Sequence, residues 1–396
     1  MSGRAWPAVR LGDYCSKIGS GSTPRGGESV YQESGVSFIR SQNVYNGQFA
    51  MDGLAHLDEE HADHLKGVTV ESGDVLLNIT GDSVARSCRV PEEVLPARVN
   101  QHVAIIRPRP EDFDSRFVGY FFISPFMQET MLSLAGSGGT RKALTKEMIE
   151  RFEVPRPPRP LQERIADILS AYDELVENNR RRMTLLEEAA RQLYREWFVR
   201  LRFPGHEHTR LTNGVPEGWE RMSLGAVADN LDRLRVPLSV FEREARPGSY
   251  PYHGAAGVLD HIDGYIFDGR YLLVGEDGTV RTQAGTPMLQ LVEGKFWVSN
   301  HAHVLSGNIV STEFLYCLLS FYPISGHVTG VAQPKLTQAN LNRIPVLVPA
   351  HLLRDQFQDV VAAIFSQHFV LQAQNHRLRA ARDLLLPRLM RGEFAV

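Results

Sequence analysis

The same punctuation occurs twice in this chain, about half its length apart. "GSGGTRKALT" (136–145) sets a Lys and then Leu-Thr after a Gly-containing turn, and "TGVAQPKLTQ" (329–338) does so again. A Pro-containing segment and a long charged helical pattern follow both. Three further matches keep the same order. Trp6 precedes Leu11-Gly12 by the spacing at which Trp219 precedes Leu224-Gly225. "VNQHVAII" (99–106) matches "SNHAHVLS" (299–306), where polar Asn and His interrupt a strand-like run. "FVGYFFIS" (117–124) matches "FLYCLLSF" (314–321), both apolar, aromatic-rich and long enough for buried helices. Four matches in one order identify a tandem duplication, which fixes the architecture before any local element does.

Each copy ends in an amphipathic helix. "VPRPPRP" (154–160) is an extended stop, because proline removes amide donors and disfavours helix before it. Beyond it, apolar residues fall at Leu161, Ile165, Ile168, Tyr172 and Leu175, then at Leu186, Ala190, Leu193 and Trp197. These alternating steps of four and three describe a coiled-coil seam, in which Asn179 is a polar position able to set register. In the second copy Leu353, Phe357, Val360, Ile364, Leu371, Leu378, Leu385 and Leu389 repeat the steps, with Asn375 in the seam. Two such stripes need partners. They pack on each other antiparallel, or form separate hairpins or a dimerisation zipper. A helix over 161–198 would span about 57 Å at ~1.5 Å per residue. "GDVLLNIT" (73–80) and "RYLLVGEDGTV" (270–280) read as strands entering Gly-containing turns, so the units before the helices are irregular α+β domains.

Composition limits the classes. At 396 residues with 43% hydrophobic and 22% charged residues, the chain holds two or three ordinary cores. A net charge of −3 shows no global basic excess, so any nucleic-acid contact must come from local patches. Cys15, Cys88 and Cys317 are odd in number and far apart, which argues against a disulfide framework and a zinc ribbon and fits a reducing cytoplasm. No stretch has the length and apolarity of a membrane span, and the start lacks a signal-peptide core.

Enzyme signatures are missing. There is no G-x-x-x-x-G-K-[ST] loop, and "GSGST" and "GSGGT" read as turns. "GDSVA" (81–85) lacks the final Gly of a nucleophile elbow and reads as a polar turn after a strand. His56, His61 and His64 could bind a metal, but acids and a Lys among them fit a solvated helix face. The Asn/Asp-Pro-Pro-aromatic tetrapeptide of an adenine methyltransferase does not occur.

The pattern resembles the DNA-specificity subunits of type I restriction–modification enzymes over essentially the whole chain. The carriers are "KIGSGSTP", "GVSFIRSQNV", "GTRKALT" and "VPRPPRPLQERIADIL", with a weaker second copy in "GVAQPKLTQANLNRIPVLVPAHLLRDQF". The second copy departs at "VPAHLLRDQ", where the Pro-Pro and Gln-Glu of the first are missing. The resemblance implies a target recognition domain over 1–155, a central spacer helix over 156–205, a second target recognition domain over 206–348 and a C-terminal spacer helix over 349–396. The fold it implies is α+β, with the two helices forming an antiparallel coiled coil. It also implies partners: double-stranded DNA, two methylation subunits that use S-adenosylmethionine, and two motor–nuclease restriction subunits. The chain itself would bind no cofactor, supply no catalytic residue, avoid membranes and act in the cytoplasm. Half-sites on one face of DNA lie ~34–36 Å or a multiple apart, a distance such a rod can hold.

Base edges are read by Arg, Lys and amide side chains from loops, and phosphates by Arg, Lys and backbone amides. In the first unit the candidates are Arg40, Ser41, Gln42 and Asn43, then Arg86, Asn100, Gln101 and His102, and the loop Thr140, Arg141 and Lys142. In the second unit they are His253, Arg281, Asn300, His301, His303, Gln333 and Lys335. Ordinary turn chemistry is the competing reading for each. Glu276 and Asp277 could accept from a cytosine amine or simply form an acidic turn. Two other functions stay open: the specificity module of a related type II-like system, and a non-DNA coiled-coil scaffold.

Overall fold

Both copies of the Leu-Thr punctuation close the same joint. Leu144 and Leu336 are buried, and their amides donate to Ile79 O and Glu276 O, each at 2.8 Å. Thr145 and Thr337, the next residues, each cap a short helix by accepting from the amide three residues on. The computed structural model describes residues 6–136, 142–330 and 333–394. They form two units: 1–177 with 375–396, and 178–374.

In the first unit, strands β1 (Ala8–Arg10), β2 (Cys15–Ser20) and β3 (Val36–Ile39) are followed by β4 (Ala55–Leu57), helix α1 (Glu59–His64), β5 (Thr69–Val70), β6 (Val75–Asn78), β7 (Ser87–Arg89), β8 (Ala97–Val99) and β9 (Val103–Pro108). Helices α2 (Ser115–Ile123), α3 (Pro125–Gly136) and α4 (Lys146–Glu150) come next, then β10 (Glu153–Pro155) and the long α5 (Arg159–Tyr194). One sheet has the order β4-β3-β8-β5 and another β2-β9-β6-β7, while β1 pairs with β10. The continuous apolar runs of β6 and β9, buried throughout except at Arg107, match strands covered on both faces. Their alternate residues feed two cores: Val75, Leu77 and Ile106 enter one, Leu76 and Ile105 the other.

The second unit repeats the plan with β11 (Glu220–Ser223), α6 (Leu224–Val227), β12 (Ala228–Asn230), α7 (Val240–Glu244), β13 (Pro247–His253), β14 (Val258–Ile262), β15 (Phe267–Gly275), β16 (Leu289–Val298), β17 (Ala302–Gly307), α8 (Thr312–Leu319), α9 (Gln338–Asn342), β18 (Pro345–Val348) and α10 (His351–Met390). Its sheet order is β12-β17-β15-β16-β13-β14, and β11 pairs with β18 as β1 does with β10. The single long β16 does the work of β7 and β8. It pairs antiparallel with β15 and then parallel with β13, as β7 pairs with β6 and β8 with β3.

The repeated Leu-Gly pairs also have a physical reason. Leu11 and Leu224 are fully buried, and their amides donate to Phe152 O and Ile344 O. A Cβ on Gly12 would stand 2.9 Å from Glu150 Cβ and 3.0 Å from Glu150 O. On Gly225 it would stand 2.9 Å from Asn342 Cβ and 3.0 Å from its Cγ. Both Gly12→Ala and Gly225→Ala are therefore expected to destabilise by ~1–3 kcal/mol. Gly12→Ala should cost more, because a backbone carbonyl cannot swing aside. Denaturant unfolding of the two variants measures this, and the reverse order would refute the steric account.

The helix starts differ between the copies. Gln162 is fully buried: its Nε2 donates to Pro157 O and Asp112 O, and its Oε1 accepts from the Asp114 amide. In the second unit Arg354, eight residues after Val346 of β18 as Gln162 is after Val154 of β10, donates instead to Ile309 O. This accounts for the sequence departure at "VPAHLLRDQ".

The seams differ from the pattern read from sequence. On α5, Ile165, Asn179 and Ala190 are buried as expected, but Leu169, Val176, Tyr194 and Phe198 are buried rather than Ile168, Leu175, Leu193 and Trp197. Leu175 is 50% exposed. On α10, Val361 and Phe365 are buried while Val360 is 44% exposed and Ile364 half-buried. The two helices touch within each unit. In the first, Arg382 pairs with Asp173 and Asn375 Nδ2 donates to Val176 O at 3.2 Å, so the chains run in opposite directions. In the second, His368 Nε2 lies 3.1 Å from Glu187. The end of α10 returns to the start of the chain, where Gly392 sits against the Trp6 ring with no room for a Cβ.

Candidate nucleic-acid interface

Two of the predicted loops meet in each unit at one corner of the sheet. In the first unit the turn from β8 to β9 carries Asn100, Gln101 and His102. The Asn100 amide donates to Ile39 O, and its Oδ1 accepts from the His102 amide at 3.0 Å. His102 O accepts from the Ile79 amide at 2.9 Å, and its Nδ1 lies 2.7 Å from the Thr80 hydroxyl. Thr80 bridges to Ala143, which brings in the loop holding Lys142. Gln101 is exposed and accepts from Thr23 Oγ1 at 3.2 Å, so the "GSGSTP" loop flanks the corner.

In the second unit the Ser299 amide donates to His253 O, and its Oγ accepts from the His301 amide at 3.2 Å. His301 O accepts from the Glu276 amide at 2.8 Å, and its Nδ1 pairs with the Asp277 carboxylate. Asp277 bridges to Lys335. The two corners match residue for residue, but not in the register read from sequence: Asn100 corresponds to Ser299, Gln101 to Asn300 and His102 to His301.

Several predicted readers are structural. Asn43 is fully buried; its Oδ1 accepts from the Arg40 amide and its Nδ2 donates to Ala50 O, so it shapes its own turn. Asn100 is 8% exposed and caps the corner. His303 is buried between Asp232, 2.5 Å from Nδ1, and Leu336 O, 2.7 Å from Nε2. His253 is buried against Phe296 with Nδ1 2.9 Å from Gln290, and burial lowers its pKa. A base edge cannot reach these four without unfolding their surroundings.

Arg40 donates to Gly53 O and lies over the Tyr31 ring, Ser41 offers its carbonyl to Asn78, and Gln42 also reaches Gly53 O. Arg86 stacks 4.8 Å over Tyr45. These positions hold a second surface of the first unit. Exposed candidates at the corners are Gln101 and Lys142 in the first unit and Asn300, His301, Gln333 and Lys335 in the second; Arg281 is exposed where it bridges to Pro287. Thr140 and Arg141 lie outside the described residues.

Sequence reasoning missed Arg235. It is nearly buried, donates to Ala302 O and Asn300 O at the turn, and pairs with Glu276 at 2.8 Å and Asp232 at 3.4 Å. Its place thirteen residues after Met222, in a stretch without repeat signal, gave no sign of this. Burial alone would raise the pKa of Asp232. The His303 hydrogen bond and charge, the Val304 amide and Arg235 outweigh that and hold it below the usual carboxylate range. Asp232, Glu276 and His303 also have ligand atoms close enough for a metal, but the Arg235 guanidinium already supplies the positive charge between the two acids. Of the sequence's metal candidates, His61 is taken by Asp58 at 2.8 Å and His56 lies within β4. "GDSVA" is a tight turn closed by Arg86 N to Ser83 O, and the nearby His102 meets Thr80.

A family model described as the type I restriction modification DNA specificity domain matches residues 4–188 and 216–379. The type I restriction enzyme MjaIX specificity subunit of Methanocaldococcus jannaschii is 25% identical, covering 99% of this chain and 94% of that protein. The HindI specificity subunit of Haemophilus influenzae is 20% identical, covering 98% of this chain and 99% of its own. The crystal structure of a type I restriction–modification S subunit from M. genitalium shares the fold, with a TM-score of 0.57 and 16% identity over 97% of this chain and 96% of that one. No helix among the described residues is long and apolar enough to cross a membrane.

Proposed function

Because this chain belongs to the type I restriction–modification DNA specificity family, we propose that it reads a bipartite, asymmetric double-stranded DNA site, one half with each unit. The observation that carries the reading is the corner built twice: exposed Gln101 and Lys142 in one unit, exposed Asn300, His301 and Lys335 in the other, on equivalent backbones. Amide and basic side chains on a rigid sheet corner suit base-edge and phosphate contacts. α5 and α10 form an antiparallel coiled coil that sets the gap between half-sites. The ion pair of Asp173 with Arg382 and that of Glu187 with His368 support this pairing.

The chain works in the cytoplasm and holds no cofactor. Two methylation subunits dock on it and use S-adenosylmethionine to methylate adenine. Two motor–nuclease subunits join for restriction. Catalysis belongs to these partners, and this chain directs them.

Co-expression with the neighbouring methylation subunit, followed by genome-wide mapping of methyladenine, tests the reading. A split motif with a fixed unspecified gap is expected. Affinity should also fall steeply with salt, with a log–log slope of about −0.9 per phosphate contacted. A soluble, associated complex that produced no motif and bound DNA without salt dependence would point to a protein scaffold. A catalytic domain encoded with the chain, acting without a separate methylation subunit, would mark the type II-like arrangement.

A further inference from the structure

The two matched corners differ at their centre. In the first unit the residue beside the histidine is Thr80, and in the second it is Asp277. The difference dictates what each ring can offer. A carboxylate only accepts, so the Nδ1 of His301 carries the proton, and the neutral ring then presents an Nε2 lone pair. A hydroxyl donates or accepts, so Thr80 by itself leaves both tautomers open to His102, and the Nε2 of that ring lies 3.4 Å from the Gln101 amide nitrogen instead of standing free. The His301 side chain is 51% exposed, its backbone is pinned through Glu276 and Ser299, and among the described residues its Nε2 meets no protein partner. The neighbouring charges are already committed: Glu276 takes Arg235 and Lys335, leaving Asp277 to the ring.

We propose that Asp277 and His301 form a specificity-determining pair of the second unit, in which Asp277 positions the ring and His301 Nε2 accepts from an exocyclic base amine, adenine N6 or cytosine N4. Thr80 and His102 are the corresponding pair of the first unit. The inference rests on the DNA reading proposed above. Only adenine and cytosine present an amine donor in the major groove, whereas guanine and thymine present carbonyl acceptors there. An acceptor nitrogen therefore favours the first two and rejects the others.

The test is methyladenine mapping of the full chain with its methylation subunit, for wild type, Asp277→Asn, His301→Ala and His102→Ala. An Asn amide can accept from Nδ1 or donate to it, which removes the constraint on the tautomer and lets Nε2 act as a donor as well as an acceptor. Asp277→Asn should weaken the preference for A or C at one position of one half-site and admit G or T there, with a change in preference of about tenfold or more. His301→Ala should relax the same position, and the base lost there tells adenine from cytosine. His102→Ala should alter only the other half-site. Far-UV circular dichroism and thermal midpoints establish that each variant is folded. An unchanged wild-type motif in both Asp277→Asn and His301→Ala overturns the pair while leaving the DNA reading intact, as does a change in the half-site that His102→Ala alters. A wild-type complex with no motif removes the DNA reading and the pair with it.

Discussion

Phe357→Ala is expected to lower the stability of the second unit by ~3–5 kcal/mol, the usual range for emptying a buried aromatic site. Phe357 is fully buried, with the rings of Tyr194, Trp197, Phe198 and Phe314 centred 4.9–6.0 Å away. It joins both long helices to α8, so its loss opens the middle of the core rather than an edge. For a unit of this size the change corresponds to a fall in midpoint of roughly 10 °C. Three of the four tryptophans, Trp197, Trp219 and Trp297, belong to this unit, so their fluorescence reports its unfolding. Phe357→Leu should restore most of the loss. A loss below about 1 kcal/mol for the alanine variant would show that the cluster closes over the gap.

Asp74→Ala should damage the first unit comparably. The Asp74 carboxylate is fully buried and accepts from Arg107 Nε at 2.7 Å, Arg107 Nη2 at 2.8 Å and the Glu71 amide at 2.7 Å. The hydrogen bonds that Arg107 donates to Asp74 raise its pKa further, so its charge is permanent. Without the carboxylate that charge is left largely buried with only Glu71 and Thr69 O to hold it, a loss of ~3–5 kcal/mol. Removing both charges as Asp74→Leu with Arg107→Met should recover much of this. Hydrogen exchange of the β6 and β9 amides locates the effect. A double variant no better than Asp74→Ala would show that the hydrogen bonds to the loop, and not the charge balance, hold the site.

The duplication was legible because its markers are structural obligations. Gly12 and Gly225 leave no room for a side chain, and Thr145 and Thr337 cap helices, so these residues recur even where the rest has diverged. The helix seams were half legible. Ile168 beside Leu169, and Leu175 beside Val176, are adjacent apolar residues, and periodicity alone cannot say which of two neighbours faces the partner helix. The corner was legible as a set of loops but not in register. Asn100 and Ser299 perform one capping task with different side chains, so matching letter to letter aligned Asn with Asn and slipped by one. Burial of Asn43 and His303 was invisible, because a polar residue that satisfies its own turn looks in sequence like one that reaches for a ligand.

The first unit is discontinuous: its core takes Leu386, Leu389 and Met390 from the far end of the chain, whereas the second unit is one continuous segment. On the ribosome this inverts the usual order, in which the N-terminal domain is completed first. The second unit has every residue it needs once position 374 has emerged. The first, although begun earlier, must wait with the apolar face of α5 uncovered until residues 375–396 have emerged. Premature termination just after the second unit would therefore yield a finished C-terminal half attached to an N-terminal half that cannot close, a product marked for chaperones and proteases by its exposed helix.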